Sequence, residues 1–276
     1  MKKMILCCLM FVVTMTACSD PTAGEQPKNQ ETDSSKTVTT NKKQDDLDQH
    51  KEKKQNKEEE KDPSIEAKYK VSDAWSIVPI ADDADEKVVL LTFDDAPDEY
   101  AMDIAKTLKK MNARAIFFVN GHFLDSPAKK KELKQIHDMG FMIGNHTDTH
   151  AYLPDLSKKE QKAEIVRVDK QVEDIIGEKP KFFRAPNGAN TDYSKKVVKD
   201  EGMVLMNWSY GYDWNKEYMS KDAITDIMLH TELLTDGANL LMHDRKWTAA
   251  AIEDIVTGLR DKGYKMVDPK LIKTRS

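Results

Sequence analysis

Apolar runs alternate with amphipathic segments along the chain from about residue 64 onwards. Residues 88–93 form a continuous, mainly apolar run, which is typical of a strand buried on both faces. Two carboxylates, Asp94 and Asp95, follow where this strand is expected to stop, and Pro97 then forces a turn. The other predicted strands are residues 115–119, 141–143, 182–184, 204–208, 239–242 and 265–267, with a short strand or packed segment at 75–80.

Helical periodicity fills the intervals between these strands. Ser157 and Glu160 form a capping-box pattern at the start of the longest predicted helix, and Gly177 ends it. About seven strand–helix units predict an α/β fold with a parallel sheet, either closed as a barrel or open and doubly wound. The predicted helices cover residues 104–111, 127–139, 158–176, 193–201, a segment starting at 220, and 248–262.

The first 17 residues have the pattern of a signal peptide, because Lys2 and Lys3 precede an apolar stretch too short to span a bilayer. Small residues before Cys18 resemble the cleavage site of bacterial lipoproteins, so Cys18 is the expected lipid-attachment residue. A plain secretory signal with an incidental cysteine is the alternative. Cys7 and Cys8 would leave with the signal, so we expect no internal disulfide.

Composition divides the rest of the chain. Residues 18–63 mix Lys with Asp and Glu and contain no aromatic residue, which predicts a disordered charged tether. Residues 64–86 form an entry segment, and residues 87–276 form one globular domain. The net charge of −5 argues against a nucleic-acid partner. From the signal pattern and Cys18 we expect an extracytoplasmic protein that a lipid anchors to the cell membrane, facing the cell wall. We also expect it to be a monomer.

Polar side chains gather where the predicted strands end. In a barrel of parallel strands these ends converge on one face, so side chains distant in sequence can form one site. The residues concerned are Asp94, Asp95, His146, His150, Arg184, Asp213, Trp214 and His243.

Two histidines and a carboxylate in this set indicate a metal site. His146 and His150 are four residues apart, about one helical turn, so both imidazoles can reach one ion. With Asp95 they leave coordination positions free, as in a catalytic Zn²⁺ site that activates water. The rival is a non-haem Fe(II) oxygenase site with His146, Asp148 and His243 as ligands. Those enzymes are typically β-folds, whereas this chain alternates strands and helices.

Each remaining motif also has a purely structural explanation. Arg184 could keep a neighbouring buried Asp ionised. The turn ending at Gly188 could present backbone N–H groups to an oxyanion. The alternative is that residues 184–188 form an ordinary turn without such a role. Asp213 could equally be a surface residue beside a core Trp214. His243 could be a hydrogen-bonded histidine at the edge of the core.

Together these segments resemble the polysaccharide deacetylases with a NodB homology domain. The resemblance covers roughly residues 87–272. It implies a distorted (β/α) barrel of about seven strand–helix units and metal-dependent N-deacetylase activity on acetylated sugar polymers. The matching motifs, in the family's order, are Thr92-Phe-Asp-Asp-Ala-Pro97, Asn145-His-Thr-Asp-Thr-His150, Arg184-Ala-Pro-Asn-Gly188, Asp213-Trp214 and Leu241-Met-His243.

The resemblance implies a role for each motif. Asp94 would be the general base and His243 the acid that protonates the departing amine. Arg184 would hold Asp94 as a carboxylate, and Asp213 would favour the imidazolium form of His243. The implied metal ligands are Asp95, His146 and His150. The implied substrate contacts are the backbone N–H near Asn187 for the oxyanion, and Trp214 and Leu241 as walls of the acetyl pocket.

Three positions depart from the family pattern. Ala96 replaces the usual Gly, which would cost about 1 kcal/mol if the residue needs a positive φ. Asn187 stands where an aromatic residue is common. Tyr210 takes the place of an Asp that often precedes the Asp-Trp pair by three residues.

The expected function is removal of N-acetyl groups from cell-envelope glycan, most of all N-acetylglucosamine units of peptidoglycan, with Zn²⁺ as the metal. The expected partners are the acetylated polysaccharide and the membrane. Two alternatives stay open. One is a non-catalytic glycan-binding or wall-stabilising lipoprotein, which the departures at Asn187 and Tyr210 admit. The other is an esterase that removes O-acetyl groups from a polysaccharide.

Overall fold

The computed structural model describes residues 66–274, so the signal sequence, Cys18 and the whole of the predicted tether lie outside the described residues. Within this range the strands are β1 (Tyr69–Val71), β2 (Ile77–Pro79), β3 (Val88–Ala96), β4 (Ala115–Val119), β5 (Met142–Asn145), β6 (Phe182–Phe183), β7 (Val204–Leu205), β8 (Tyr210–Gly211), β9 (Ala238–His243) and β10 (Lys265–Met266). The α-helices in the same range are α1 (Ala101–Lys110), α2 (Pro127–Asp138), α3 (Lys158–Ile176), α4 (Asp192–Asp200), α5 (Lys221–His230) and α6 (Lys246–Asp261).

The main sheet is parallel and curls into a half-barrel with the helices around it. Its strands lie in the spatial order β7-β6-β5-β4-β3-β9-β8, and β10 pairs with the first residues of β3. Since β7 and β8 stand at the two ends of this order, the barrel is open between them. The predicted distorted (β/α) barrel is confirmed. β1 and β2 form a separate antiparallel pair.

The central strand, β3, sorts its side chains between two cores. Leu91 belongs to the cluster that the helices cover, whereas Leu90 packs inside the barrel with Phe118 and Phe182. Because side chains in a strand alternate between its faces, Thr92 and Asp94 follow Leu90 onto the interior face. This alternation places the Asp94 carboxylate inside the barrel at its carboxyl end.

The end of β3 differs from the prediction. The strand continues through both carboxylates to Ala96. A register shift against β4 occurs between Phe93 and Ala96, and Asp95 has a left-handed backbone with φ of 62°. The bulge turns Asp95 back towards the site that Asp94 faces. Ala96 itself has a negative φ, so the cost expected for Ala at this position does not arise.

Short strands account for the other differences. The predicted strand at 204–208 covers only two residues, and the sequence pattern did not predict β8. Two-residue strands carry no readable periodicity. Gly211 allows β8 to lie against β9, because a Cβ there would stand 2.4 Å from the carbonyl oxygen of Leu241. Within residues 66–274, no helix combines the length and apolar character that a bilayer crossing requires.

Candidate active site

The carboxyl ends of the strands surround one cavity of about 400 Å³. Two predicted site residues, Arg184 and Asp213, lie fully buried behind its wall and contact the side chains that face it. Cys18 lies outside the described residues. The lining residues are Asp94, Asp95, His146, His150, Asn187, Trp208, Trp214, Leu241, His243 and Arg245.

Asp95, His146 and His150 are arranged to hold a cation. Each offers one ligand atom, and these atoms lie within 4.8 Å of one another. The Oδ1 atom of Asp95 is 3.9 Å from Nε2 of His146 and 3.6 Å from Nε2 of His150. Among residues 66–274, this is the one group of His and acidic side chains close enough to share an ion.

The buried His146 is prepared to act as a neutral ligand. Its Nδ1 lies 2.8 Å from the carbonyl oxygen of Arg184, so the Nδ1–H donates there and Nε2 keeps its lone pair. Burial lowers the pKa of His146, even though the Asp94 and Asp95 carboxylates oppose this shift. The donor set therefore fits a divalent cation with positions left open.

Helix α3 supports the loop that carries the two histidines. The Asn145 side chain accepts a hydrogen bond from the backbone N–H of Thr147 at 2.9 Å and donates to Oδ1 of Asp169 at 2.8 Å. The Glu164 carboxylate accepts from the backbone N–H and the hydroxyl of Thr149, both at 2.8 Å. Sequence reasoning missed both acidic residues, since they look like ordinary polar positions on a helix.

Asp94 is a buried carboxylate with a matched cation. Its Oδ1 accepts a hydrogen bond of 2.7 Å from Nη1 of Arg184, and its Oδ2 lies 3.5 Å from Nε2 of His146. The same guanidinium donates to the Thr92 hydroxyl and the carbonyl oxygen of Asn207. Burial by itself would raise the pKa of Asp94, but Arg184 and His146 more than offset it and hold the pKa below its ordinary value.

His243 stands next to Asp94 across the strand pair, because the β3–β9 register places these two residues opposite each other. Its Nδ1 lies 2.7 Å from Oδ1 of Asp213, and its backbone N–H donates to Oδ2 of the same carboxylate at 2.6 Å. Burial lowers the pKa of His243, but the hydrogen bond and charge of Asp213 outweigh it, so the pKa is raised. Nε2 is the ring nitrogen left for a substrate.

An aromatic wall closes one side of the cavity. The Trp214 ring is 44% exposed, and its centroid lies 5.4 Å from that of His243 at an interplanar angle of 87°. Trp208 stands 6.4 Å from Trp214 and was missed, because it was assigned to a strand. Asn187 has a left-handed backbone with φ of 56°, which Asn tolerates better than an aromatic residue does.

Other candidates lie away from the cavity. Tyr210 is buried in β8 among the residues that the helices cover, and its hydroxyl donates to the carbonyl oxygen of Met228. Asp148 does not line the cavity and pairs with Arg167 at 3.2 Å, so the structure does not assemble the ligand set of the oxygenase interpretation.

Arg245 is a cavity residue that sequence reasoning did not consider. Its Nη2 lies 3.1 Å from Oδ2 of Asp95, and its Nη1 lies 3.9 Å from Oδ2 of Asp98. Asp244 beside it accepts hydrogen bonds from the backbone N–H groups of Asp98 and Tyr100. The one available signal is that these residues directly follow β9.

Comparison with known sequences gives a consistent family. Residues 81–206 match the family described as polysaccharide deacetylase. The chain is 34% identical over 186 residues to the peptidoglycan-N-acetylglucosamine deacetylase PgdA of Listeria monocytogenes, covering 66% of this chain but only 38% of that protein. It is 31% identical over 186 residues to the peptidoglycan-N-acetylmuramic acid deacetylase PdaA of Bacillus subtilis, covering 65% of this chain and 68% of that protein.

Solved structures show the same architecture. The peptidoglycan deacetylase PdaC of Bacillus subtilis superposes with a TM-score of 0.60 at 31% identity, covering 67% of this chain and 89% of that one. A carbohydrate esterase family 4 pseudoenzyme from Bacillus anthracis superposes with a TM-score of 0.61 at 28% identity, covering 67% of this chain and 64% of that one. The fold is therefore shared by a peptidoglycan deacetylase and by a relative described as a pseudoenzyme.

Proposed function

The chain belongs to the polysaccharide deacetylase family, and from this membership we propose that it hydrolyses N-acetyl groups of cell-envelope glycan, with N-acetylglucosamine units of peptidoglycan as its substrate. One observation carries the proposal. A single cavity places three ligand atoms beside a carboxylate whose pKa its surroundings lower and an imidazole whose pKa they raise. Amide hydrolysis needs such a base and acid with opposed pKa shifts.

Asp95, His146 and His150 would hold the divalent cation. We propose Zn²⁺, because two nitrogen ligands and one oxygen ligand with open positions suit it. When bound, the cation would polarise the acetamide carbonyl and lower the pKa of water to about 7.

Asp94 supplies the base. Its Oδ1 is engaged by Arg184, so Oδ2, which lies towards His146, takes the proton of the attacking water as the new C–O bond forms. His243 supplies the acid, because Asp213 holds Nδ1 and leaves the Nε2–H to protonate the amide nitrogen as the C–N bond breaks. The products are acetate and a free amine. Positioned proton transfer of this kind typically contributes about 10²–10⁴ in rate.

The remaining cavity residues would orient the acetamide. The turn at Asn187 would direct its backbone N–H towards the developing oxyanion. Leu241 and Trp214, which lie next to His243, would enclose the acetyl methyl group. The Asn187 side chain is too small to stack on a sugar ring, so the aromatic surface of the cavity comes from the Trp208–Trp214 pair.

We also propose that the protein is a monomeric lipoprotein, attached through Cys18 outside the cytoplasmic membrane and carried on the segment 18–63. The support is the sequence pattern of residues 1–18. Incorporation of radiolabelled palmitate into the wild-type protein but not into Cys18→Ala tests this assignment. Equal labelling of both proteins would contradict it.

The activity test uses the purified full-length protein. Acetate release from peptidoglycan and from N-acetylglucosamine oligomers is measured beside metal content, for wild type, Asp95→Ala and the surface control Asp174→Asn. We expect Asp95→Ala to lose both the bound metal and acetate release, whereas Asp174→Asn, on the exposed side of α3, keeps both. Undiminished turnover in a metal-depleted Asp95→Ala protein would refute the proposal.

The similarity to a pseudoenzyme supports one second candidate, a glycan-binding protein without turnover. Tight glycan binding with no acetate release by the metal-loaded protein would favour it. The assembled base, acid and ligand triad argue for turnover, because binding a glycan requires none of them. An O-acetyl esterase would use the same cavity, and it is distinguished by a preference for O-acetylated over N-acetylated glycans.

A further inference from the structure

Arg245 lines the cavity but has no role in the proposed chemistry. Its side chain is 38% exposed and follows His243 by two residues. Within residues 66–274, the Arg245 guanidinium makes a single hydrogen bond, which runs from its Nη2 to Oδ2 of Asp95. The second carboxylate nearby, Asp98, is 3.9 Å away and is therefore beyond hydrogen-bond distance. A guanidinium has five N–H donors, so most of them remain available to a ligand.

The other cavity charges are already matched. Arg184 is buried against Asp94, and His243 is held by Asp213. Neither of these cations can turn to a substrate anion without giving up its carboxylate. Arg245 also pairs with a carboxylate, that of Asp95, but its partly exposed guanidinium keeps free N–H donors beside the cavity. A planar fork of this kind matches a carboxylate with two parallel hydrogen bonds.

Resting on the proposed function, we propose that Arg245 is a specificity-determining residue that binds a carboxylate carried by the glycan next to the reacting acetamide. The favoured substrate class is thus an N-acetylated amino-sugar polymer with a free carboxylate close to the acetamido group. In peptidoglycan, the lactyl group of N-acetylmuramic acid supplies that carboxylate once its peptide has been removed. With N-acetylglucosamine as the sugar that loses its acetyl group, the carboxylate sits on the neighbouring N-acetylmuramic acid unit of the polymer.

The test compares two glycans. One is a neutral N-acetylglucosamine oligomer, and the other is a peptide-free peptidoglycan strand with free lactyl carboxylates. Acetate release gives kcat and KM for the full-length wild-type, Arg245→Gln and Arg245→Lys proteins. We expect Arg245→Gln to lower kcat/KM on the carboxylate-bearing strand about tenfold more than on the neutral oligomer, mainly through KM, since charged hydrogen bonds contribute of this order. Arg245→Lys keeps the charge but not the fork, so it should retain part of the preference.

A matched control and two further readouts sharpen the comparison. Arg114 is similarly half-buried and faces Asp268 at 3.9 Å, but it precedes β4 at the opposite end of the barrel. Arg114→Gln should therefore change neither glycan's kinetics. Mass spectrometry of the product shows which sugar has lost its acetyl group and so where the carboxylate sits. Quenching of tryptophan fluorescence measures strand binding without turnover, because Trp214 is exposed in the cavity.

The outcomes separate this inference from the function on which it rests. Equal losses on both glycans would mean that Arg245 acts through Asp95 and would overturn the inference, as would an unchanged ratio. If the wild-type protein releases acetate from neither glycan, the proposed function fails. In that case weaker binding of the carboxylate-bearing strand to Arg245→Gln still supports the inference, and equal binding overturns it.

Discussion

The buried carboxyl of Asp169 makes the stability of the domain depend on pH. Asp169 is 1% exposed on α3, and its Oδ1 accepts the hydrogen bond from Asn145 that supports the histidine loop. Its Oδ2 has no hydrogen-bond partner in the described structure. Burial raises the pKa of Asp169 from 3.8 to about 7. The folded protein therefore holds a proton there that the unfolded chain releases above about pH 4.

The sign of the effect follows from this raised pKa. Between the unfolded and folded pKa values the folded state binds more protons, so the free energy of unfolding falls as pH rises and becomes level above about pH 7. Each pH unit in this window corresponds to about 1.4 kcal/mol. Between pH 5 and pH 8 the loss from this one group is thus about 3 kcal/mol.

Asp169→Asn removes the titrating group and keeps an oxygen acceptor for Asn145. Urea unfolding at pH 5, 6, 7 and 8 should show the variant gaining about 3 kcal/mol relative to wild type across that range, with most of the gain complete by pH 7. Asp174→Asn lies on the same helix, where the side chain is 63% exposed, and should show no such gain. A difference between wild type and Asp169→Asn that stays constant with pH would refute the reasoning.

Three further predictions concern the acid, the base and the sheet. Asp213→Asn should lower the pKa of His243, so the high-pH limb of the kcat/KM profile should move to lower pH. Arg184→Gln should raise the pKa of Asp94 and so move the low-pH limb of the kcat/KM profile to higher pH. Urea unfolding of the same variant should show a free energy of unfolding that is lower by about 3–5 kcal/mol, because the buried Asp94 carboxylate loses its partner. Gly211→Ala should reduce the free energy of unfolding by about 1–3 kcal/mol, since the added Cβ overlaps a backbone oxygen of β9.

Controls for these variants come from the same types of residue outside the cavity. Asp226→Asn removes the exposed partner of His230 and should leave both limbs of the pH profile in place. Gly177 has a positive φ, and a Cβ added there would meet no atom within 4 Å. Gly177→Ala therefore measures the cost of backbone strain alone, for comparison with the steric overlap expected in Gly211→Ala. If Asp213→Asn leaves the high-pH limb where it is, Asp213 does not set the protonation of His243.

The longer elements could be predicted because each carries a complete local signal. Ser157 and Glu160 form the capping box at the start of α3, and Gly177 closes that helix in the left-handed conformation. β4 occupies the five residues predicted for it. The site motifs could be gathered on one face because strand ends converge in any parallel barrel. The catalytic and ligand roles of those residues remain predictions until the variants are measured.

The features that sequence reasoning missed depend on tertiary contacts. The left-handed conformation of Asp95 arises where β3 shifts register against β4, and nothing in the run Phe93–Ala96 indicates that shift. In the sequence, Asp169 occupies a position typical of an exposed helix surface. It is buried only because α3 packs against β5. Arg245 belongs to no motif, and its place in the cavity follows from the path of the chain after β9.

The bulge in β3 brings two consecutive carboxylates into one chamber. A regular strand would send one of them outwards, away from the cavity. Here a single peptide unit joins them, so their spacing does not depend on how widely the barrel opens. The spacing of these two carboxylates is therefore a property of β3 alone, at the centre of the sheet, and is independent of the gap between β7 and β8 at its edges.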